Sequence, residues 1–483
     1  MADCLDIGSD DGEQAEGATT GEWREHYVGT LINDEVIAIG DGYRAKNSEL
    51  SEAGLPFARA GNISNGFQFS DADCFPEDQL HKVGEKTSRP GDTVFTSKGT
   101  VGRFAFVRED TPQFVYSPQL SFWRSLNESV LDPRFVYYWM SSEDFYFQFK
   151  SVAGQTDMAE YVSLRDQRQM HITLPPIREQ RAIAHILGTL DDKIELNRRM
   201  NQTLEAMARA LFKSWFVDFD PVRAKAALKQ HSLENHAGSD AETRGNGAAP
   251  AGEWTVKRAR AYLDAMDPKI VDLFPDRMVP SDPGEIPEGW EVKTLGELSD
   301  LNSESWSRTD SPKEVEYVDL ANTKWGVIET IQHFPWKDAP SRAKRILRSG
   351  DTIVGTVRPS NGSYSLVGRD GLTGSTGFAV LRPSNDCFRE LIYLVATSPE
   401  NIEQLAHRAD GAAYPAVRPE VIAETEVPIP ISDTDLLGRF SMAVGSIIDK
   451  IESIKAEMCF LADQRDALLP KLVSGESKIV ELH

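Results

Sequence analysis

The sequence carries few of the residues that would let it do chemistry by itself. It has no G-x-x-x-x-G-K-[ST] phosphate loop, no H-E-x-x-H, no cluster of His and Cys and no G-x-S-x-G nucleophile elbow. These absences argue against a nucleotide-driven motor, a zinc enzyme and an α/β-hydrolase. Pro175-Pro176 follows Leu174, where an amino-methyltransferase of the N/D-P-P-Y/F type would place Asn or Asp, and the glycines around Gly99 and Gly102 are too few for a dinucleotide loop. No catalytic residue, metal site or bound cofactor is therefore expected in this chain. Cys4, Cys74, Cys387 and Cys459 lie far apart with no Cys-x-x-Cys, so reduced, inert thiols are expected. No window nears the roughly 18 to 20 apolar residues that span a bilayer, and the N-terminus is acidic where a signal peptide is basic. The expectation is a cytoplasmic protein without membrane association.

Positive charge is also scarce, with 52 Lys and Arg against 75 Asp and Glu and a formal net charge of -23. That opposes binding to phosphates, but the acid is unevenly spread. Residues 1–22 hold seven acids and no base, whereas Lys86 to Arg108 has five bases against Asp92, and Ser341 to Arg369 has six against Asp351. Local charge permits a nucleic-acid partner.

At 483 residues and 40% hydrophobic content, the chain predicts two to four folded domains. Most of it is a duplication, with landmarks returning in order about 250 to 270 residues later. Trp23 to Gly29 answers Trp290 to Gly296, RPGDTVFTSKGTVG (Arg89 to Gly102) answers RSGDTIVGTVRPSNG (Arg348 to Gly362), and LDPRFVYYWM (Leu131 to Met140) answers CFRELIYLVA (Cys387 to Ala396). A proline pair then opens a long helical pattern in each half, at Pro175-Pro176 and at Pro428 and Pro430, and the tetrapeptide DKIE occurs at Asp192 and again at Asp449. The Gly-Asp turns running into β-branched residues predict strands, Ser163 with Asp166 predicts a helix cap, and the prolines enforce extended backbone.

The long patterns keep heptad spacing. Ile183, Leu187, Leu190, Ile194, Asn197, Asn201, Leu204, Ala208, Leu211 and Trp215 form one seam. The same frame started at Phe440 collects Val444, Ile447, Ile451, Ile454, Met458, Leu461, Arg465, Leu468 and Leu472, all apolar but Arg465. A stripe this narrow and this long is best buried against a similar partner, so the two helices are expected to pair as an antiparallel coiled coil, with the buried Asn197 and Asn201 fixing register. Asp191, Lys193, Glu195, Arg198 and Arg199 would lie on exposed faces, as solvated surface or as docking sites. The fold class is thus α+β: two mixed α/β modules in pseudo-two-fold arrangement, separated by the two long helices. The expected boundaries are an acidic tail over 1–21, a first module over 22–176, a helix over 177–222, a linker over 223–287, a second module over 288–431, a helix over 432–476 and a tail over 477–483. A short helix is expected at Val256 to Met266, and Pro280 to Trp290 is expected to be irregular.

Pro175 to Phe219 closely resembles the central conserved region of the specificity subunit of type I restriction-modification enzymes, and Leu273 to Leu298 looks like that family's approach to its second target recognition domain. The resemblance implies a non-catalytic DNA reader. Each target recognition domain would read one half of a bipartite site in double-stranded DNA, while the paired helices act as a ruler and dock two modification subunits. Those partners would bind S-adenosylmethionine and methylate adenine; restriction subunits would add ATP- and Mg-dependent translocation and cleavage. A ruler matching one turn of B-DNA would span roughly 34 Å. Candidate DNA contacts are the residues around the Gly-rich hairpins: Lys86, Ser97, Lys98 and Arg103 in the first module, and Arg342, Lys344, Arg345, Arg358, Asn361 and Tyr364 in the second. Arg and Lys suit guanine or phosphate and Asn suits adenine. The rival readings are a coiled-coil scaffold that never touches DNA and a single-chain enzyme with specificity and catalysis fused.

Overall fold

The structure, a computed structural model, describes residues 22–63, 66–99, 102–153, 161–236, 254–282, 284–307, 309–411, 414–431 and 434–477. The expected acidic tail over 1–21 lies outside them. The chain divides into two compact units, Met1–Leu196 with Glu457–His483, and Asn197–Ala456.

In the first unit β1 (Arg24–Tyr27) and α1 (Val28–Asn33) precede β2 (Ile37–Asp41), β3 (Leu55–Ala58), β4 (Cys74–Phe75), β5 (Thr93–Thr96), β6 (Phe104–Phe106), β7 (Val115–Tyr116) and β8 (Leu120–Ser125). Then come α2 (Pro133–Met140), α3 (Glu143–Ala153), α4 (Leu164–Gln169), β9 (His171–Leu174) and the start of α5 (Ile177–Phe212). One antiparallel sheet has the order β2-β8-β5-β6, a second has β4-β3-β7 with β3 and β7 parallel, and β1 pairs with β9. The core between sheet and helices is aromatic, with Phe95, Trp123, Phe135, Trp139, Phe145 and Phe149 buried together.

Local sequence explains these boundaries. In Arg89-Pro90-Gly91-Asp92 the Asp92 amide donates to the Arg89 carbonyl, and Gly91 supplies the φ of +89° that the turn needs ahead of β5. Asp132 caps α2 through the Arg134 and Phe135 amides, with Pro133 in the first turn. Ser163 and Asp166 form the expected capping box on α4. The extended Pro175-Pro176 joins β9 to α5, and the buried Gln180 clamps that junction. Its amide nitrogen donates to the Pro175 and Val130 carbonyls while its oxygen accepts from the Asp132 amide.

The second unit takes up the rest of α5, then α6 (Asp220–His236), α7 (Val256–Asp264), α8 (Pro268–Val271), β10 (Met278–Pro280), β11 (Glu285–Pro287), β12 (Trp290–Thr294), α9 (Leu295–Leu298) and β13 (Ser299–Leu301). It continues with β14 (Glu314–Val318), β15 (Thr323–Lys324), β16 (Val327–Ile328), β17 (Gln332–Pro335), β18 (Ala343–Ile346), β19 (Thr352–Gly355), β20 (Tyr364–Leu366), β21 (Leu372–Ser375) and β22 (Phe378–Pro383). It closes with α10 (Arg389–Ala396), α11 (Pro399–His407), α12 (Pro419–Ala423), β23 (Glu426–Pro430) and most of α13 (Thr434–Val473). The sheet order β13-β22-β19-β20 repeats the first unit's, the order β17-β14-β21-β18 repeats its second sheet with one strand added, and β12 pairs with β23 as β1 does with β9. Here β14 and β21 are again the parallel pair.

Each unit contains a stretch of both long helices, and in each the two run antiparallel. In the first, Lys193 meets Glu457, Asp191 meets Arg465, and nearer the start of α5 Ile183 and Leu187 cluster with Leu468, Leu472 and Val473. In the second, Trp215 and Phe216 pack on Phe440, at ring-centroid distances of 5.8 and 4.8 Å.

Three expectations change. Residues 223–236 are not linker but the bulk of α6, because Ala-Lys-Ala-Ala-Leu-Lys-Gln is made of strong helix formers. Pro280 to Trp290 is not irregular: β10 and β11 form an antiparallel hairpin whose prolines sit at strand ends, where a missing amide costs least. Asp191 does not lie on a free face, and its neighbour Asp192 is likewise engaged. Asp191 accepts from the Tyr138 hydroxyl (2.7 Å) and from Arg465 (2.9 Å), and Asp192 takes both Arg134 nitrogens (2.8 and 2.9 Å) as well as Arg108. Burial works to raise the Asp192 carboxyl, but the two guanidiniums outweigh it and hold the group below its ordinary value.

Candidate nucleic-acid interface

The hairpins β5–β6 and β19–β20 hang from the same framework in both units. Asp92, fully buried, takes the Arg124 guanidinium on both oxygens (2.6 and 2.7 Å), with the Arg89 amide and Tyr116 hydroxyl also donating to it. Asp351, equally buried, takes Arg382 the same way (2.9 and 2.9 Å), together with the Arg348 amide. A second carboxylate serves each arginine from outside, Glu85 on Arg124 (3.2 Å) and Glu304 on Arg382 (2.6 Å). Hydrogen bonds from Arg348 and Arg382 hold the Glu304 carboxyl at about 2. A buried bidentate pair of this kind fixes geometry rather than adding much stability.

Beyond β5 and β19 the anchoring is again the same. The Ser97 amide donates to the Gln119 carbonyl and the Ser97 carbonyl accepts from the Val162 amide; Thr356 does both with Gly377 and Val417. These bonds anchor the chain just after β5 and β19, where each hairpin is crossed by the segment that leads into α4 or α12.

The candidate DNA contacts divide on inspection of their surroundings. Three are committed to the fold. Lys86 donates to Asp41 (2.7 Å) and to the Gly42 carbonyl, Ser97 is buried in the framework above, and Tyr364 is a core residue only 5% exposed, its hydroxyl pushed up by burial. Lys86 and Ser97 are held by these bonds and Tyr364 by its place on a buried strand. Arg103 is exposed, and its guanidinium donates to the Ala60 carbonyl. Arg342 is exposed and touches the Tyr317 hydroxyl. Lys98, Lys344 and Asn361 are exposed, and among the described residues no carboxylate pairs with Lys98, Lys344 or Arg345. Arg345 is half-buried, its Nε lacks a hydrogen-bond partner, its Nη1 donates to Ser305, and burial lowers its guanidinium below the ordinary value. The other half-buried arginines, such as Arg134, Arg209 and Arg465, have carboxylates.

Three exposed aromatic residues near the turns, Tyr161, Tyr414 and Trp325, are not among the candidates. Lys98 lies 5.9 Å from the ring centroid of Tyr161, and Arg358 4.7 Å from that of Tyr414. Tyr161 is 42% exposed and Tyr414 72%. Trp325, 58% exposed, stands over Gly362 and meets Tyr364 edge-on at 5.9 Å. Arg358 and Trp325 both have positive φ, +49° and +46°, a conformation that bulky residues rarely adopt. Lys98 and Tyr161, with Arg44, also line a polar cleft of about 110 Å³ whose acid, Asp41, is taken by Lys86. The signal in the sequence is an aromatic close before each of the short helices α4 and α12, which the charge pattern alone passes over.

The helix-seam residues are placed along the two long helices as follows. Ile183, Leu187, Asn197, Phe440, Val444 and Ile454 are buried, and Leu190, Ile194, Asn201, Leu204, Leu211, Ile447, Ile451, Leu461 and Leu468 are half-buried. Among the described residues, no group of three or more His, Cys, Asp and Glu is arranged to hold a metal, and no helix is long and apolar enough to cross a membrane.

Comparison with known proteins bears on both halves. The chain is 26% identical over 473 residues to the type I restriction enzyme HindI specificity subunit of Haemophilus influenzae, covering 94% of this chain and 99% of that one. It is 23% identical over 407 residues to the MjaIX specificity subunit of Methanocaldococcus jannaschii, covering 81% and 79%. Its fold matches the crystal structure of a type I restriction-modification S subunit from M. genitalium with a TM-score of 0.51 at 14% identity, over 95% of this chain and 98% of the other. The profile of the type I restriction modification DNA specificity domain matches residues 31–206 and 287–437, which take in both hairpin frameworks and both closing strand pairs except β1. With its two repeated modules and their arms, this chain belongs to that family of specificity subunits.

Proposed function

We propose that this chain is the non-catalytic DNA-reading subunit of a type I restriction-modification complex. Each module reads one half of a bipartite site in double-stranded DNA, and the paired helices set the gap and dock two modification subunits. S-adenosylmethionine, and ATP with Mg, belong to the modification and restriction partners. The observation that carries this reading is the duplication itself: one framework, built twice, presents two hairpins that differ in their exposed residues. Two readers of different sequence need the same mount and unlike tips.

Lys98, Arg103, Arg342, Lys344 and Arg345 are the cations assigned to phosphate or guanine, and Asn361 is assigned to adenine. The half-buried Arg345, without a carboxylate, is suited to an anion brought from outside. Co-purification with the modification subunit tests the whole. Sequence-selective retention of duplex DNA supports the reading; retention of none would instead favour a coiled-coil scaffold, which the net charge of -23 suits. Lys98→Ala with Arg103→Ala should weaken binding and reduce the salt slope by about one per lost phosphate contact. An unchanged slope removes the two from the interface.

A further inference from the structure

The two cation–tyrosine pairs share a place but not an origin. The framework hydrogen bonds make Ser97 equivalent to Thr356 and Val162 equivalent to Val417. Lys98 and Tyr161 bridge each other directly beside that anchor, and the residues that bridge at the same place in the second unit are Val357 and Ala416. The second pair is therefore displaced, with Arg358 one residue beyond Val357 and Tyr414 two before Ala416. Simple inheritance of a duplicated residue would have kept the positions. Instead the same chemistry, a cation held against an exposed tyrosine, is built at the same tip from different positions.

A fold has little use for such a pair. An exposed cation–ring contact contributes only about 0.5 to 1 kcal/mol, while a large exposed ring and a residue held at positive φ both act against stability. The second tip carries two bulky residues at positive φ, Trp325 and Arg358, on either side of Gly362, where a side chain would run into the indole. At the first tip, Arg44 and Lys98 face one cleft in which the single acid is already neutralised. Rigid exposed rings next to positive charge suit a ligand with anionic groups beside flat or apolar faces, which describes the phosphates, sugars and base edges of DNA.

We propose that Lys98 with Tyr161 and Arg358 with Tyr414 are the equivalent DNA-contacting tips of the two modules, and that Trp325 is a specificity-determining residue of the second. The cations take phosphate oxygens, and the rings they hold in place pack on sugars and base edges in the groove. Among the described residues no ring stands on the first hairpin turn as Trp325 does on the second, so Trp325 makes the second half-site's preference narrower. This rests on the DNA-reading function proposed above.

The test uses the full chain co-purified with its modification subunit and a random-sequence duplex library, in which adenine methylation and retention are both mapped. Tyr414→Ala and Tyr161→Ala should each weaken retention about tenfold, with Tyr414→Phe restoring most of it. Arg358→Gln should lower the salt slope by about one. Trp325→Ala should relax base preference in the half-site read by the second module and leave the other half unchanged. Thermal unfolding equal to wild type establishes that each variant is folded. If wild type yields a methylated motif and folded variants give the same motif and retention, the tips are not DNA contacts. If wild type itself retains no duplex, the DNA-reading function fails instead.

Discussion

The two modules differ where they face outward and agree where they are locked. In the first, Asp92 holds Arg124 with help from the Tyr116 hydroxyl; in the second, Asp351 holds Arg382 and the outer carboxylate Glu304 comes closer, at 2.6 Å against 3.2 Å for Glu85. The attachment to the long helix differs in the same graded way. The aspartate of each DKIE meets the arginine near the start of its module's α2 or α10: Asp192 grips Arg134 with both oxygens, while Asp449 stands 3.8 Å from Arg389. Gly188 leaves room for that Arg134, as Gly445 does for Glu390. A duplicated protein can therefore let one lock loosen when a neighbouring charge takes up the load.

Removing the inner carboxylates gives the largest separation between the modules. Asp92→Ala leaves a 93%-buried Arg124 side chain with only the more distant, exposed Glu85 carboxylate and should cost about 3 to 5 kcal/mol, read as lost hydrogen-exchange protection in the first module only. Asp351→Ala should cost clearly less, because Glu304 still holds Arg382; equal losses would contradict the compensating role given to Glu304. Next in size, Asp192→Asn should destabilise the first unit by about 1 kcal/mol, whereas Asp449→Asn, at an exposed position, should leave thermal unfolding unchanged. A comparable effect of both would mean that the two DKIE segments do the same work.

The smallest effect is acid sensitivity. Two arginines hold the Glu304 carboxyl at about 2, below its ordinary value of 4.5, so its contribution is complete above about 4.5 and is lost as pH falls towards 2. Glu304→Gln should remove the part of the second module's acid-induced loosening that falls in that window. The first module should be indifferent to it.

Much of this architecture is legible in the sequence, because it is written in short-range patterns. R-P-G-D and R-S-G-D announce their turns, the capping box at Ser163 its helix, and the heptads their seam. What escapes is long-range. Arg124 and Arg382 lie more than 30 residues from their aspartates, and the available hint was an arginine within an apolar strand, which requires a buried partner. For Tyr364, nearness to a Gly-rich hairpin suggests exposure, whereas its strand is buried on both faces. Charge counting picked out Lys86 without revealing that Asp41 had already claimed it. The aromatic tips depend on which segment crosses the hairpin, and no local pattern gives that.

The division of the chain also bears on its synthesis. The second unit is continuous from Asn197 to Ala456, so a growing chain holds all of it before the last residues leave the ribosome. The first unit begins earlier but is completed later, since Leu472 and Val473 belong to the same core as Ile183 and Leu187. The usual order, N-terminal part first, therefore does not apply to completion of these two units. The core of the module translated first lacks one side until Leu472 and Val473 are made and can pack onto Ile183 and Leu187.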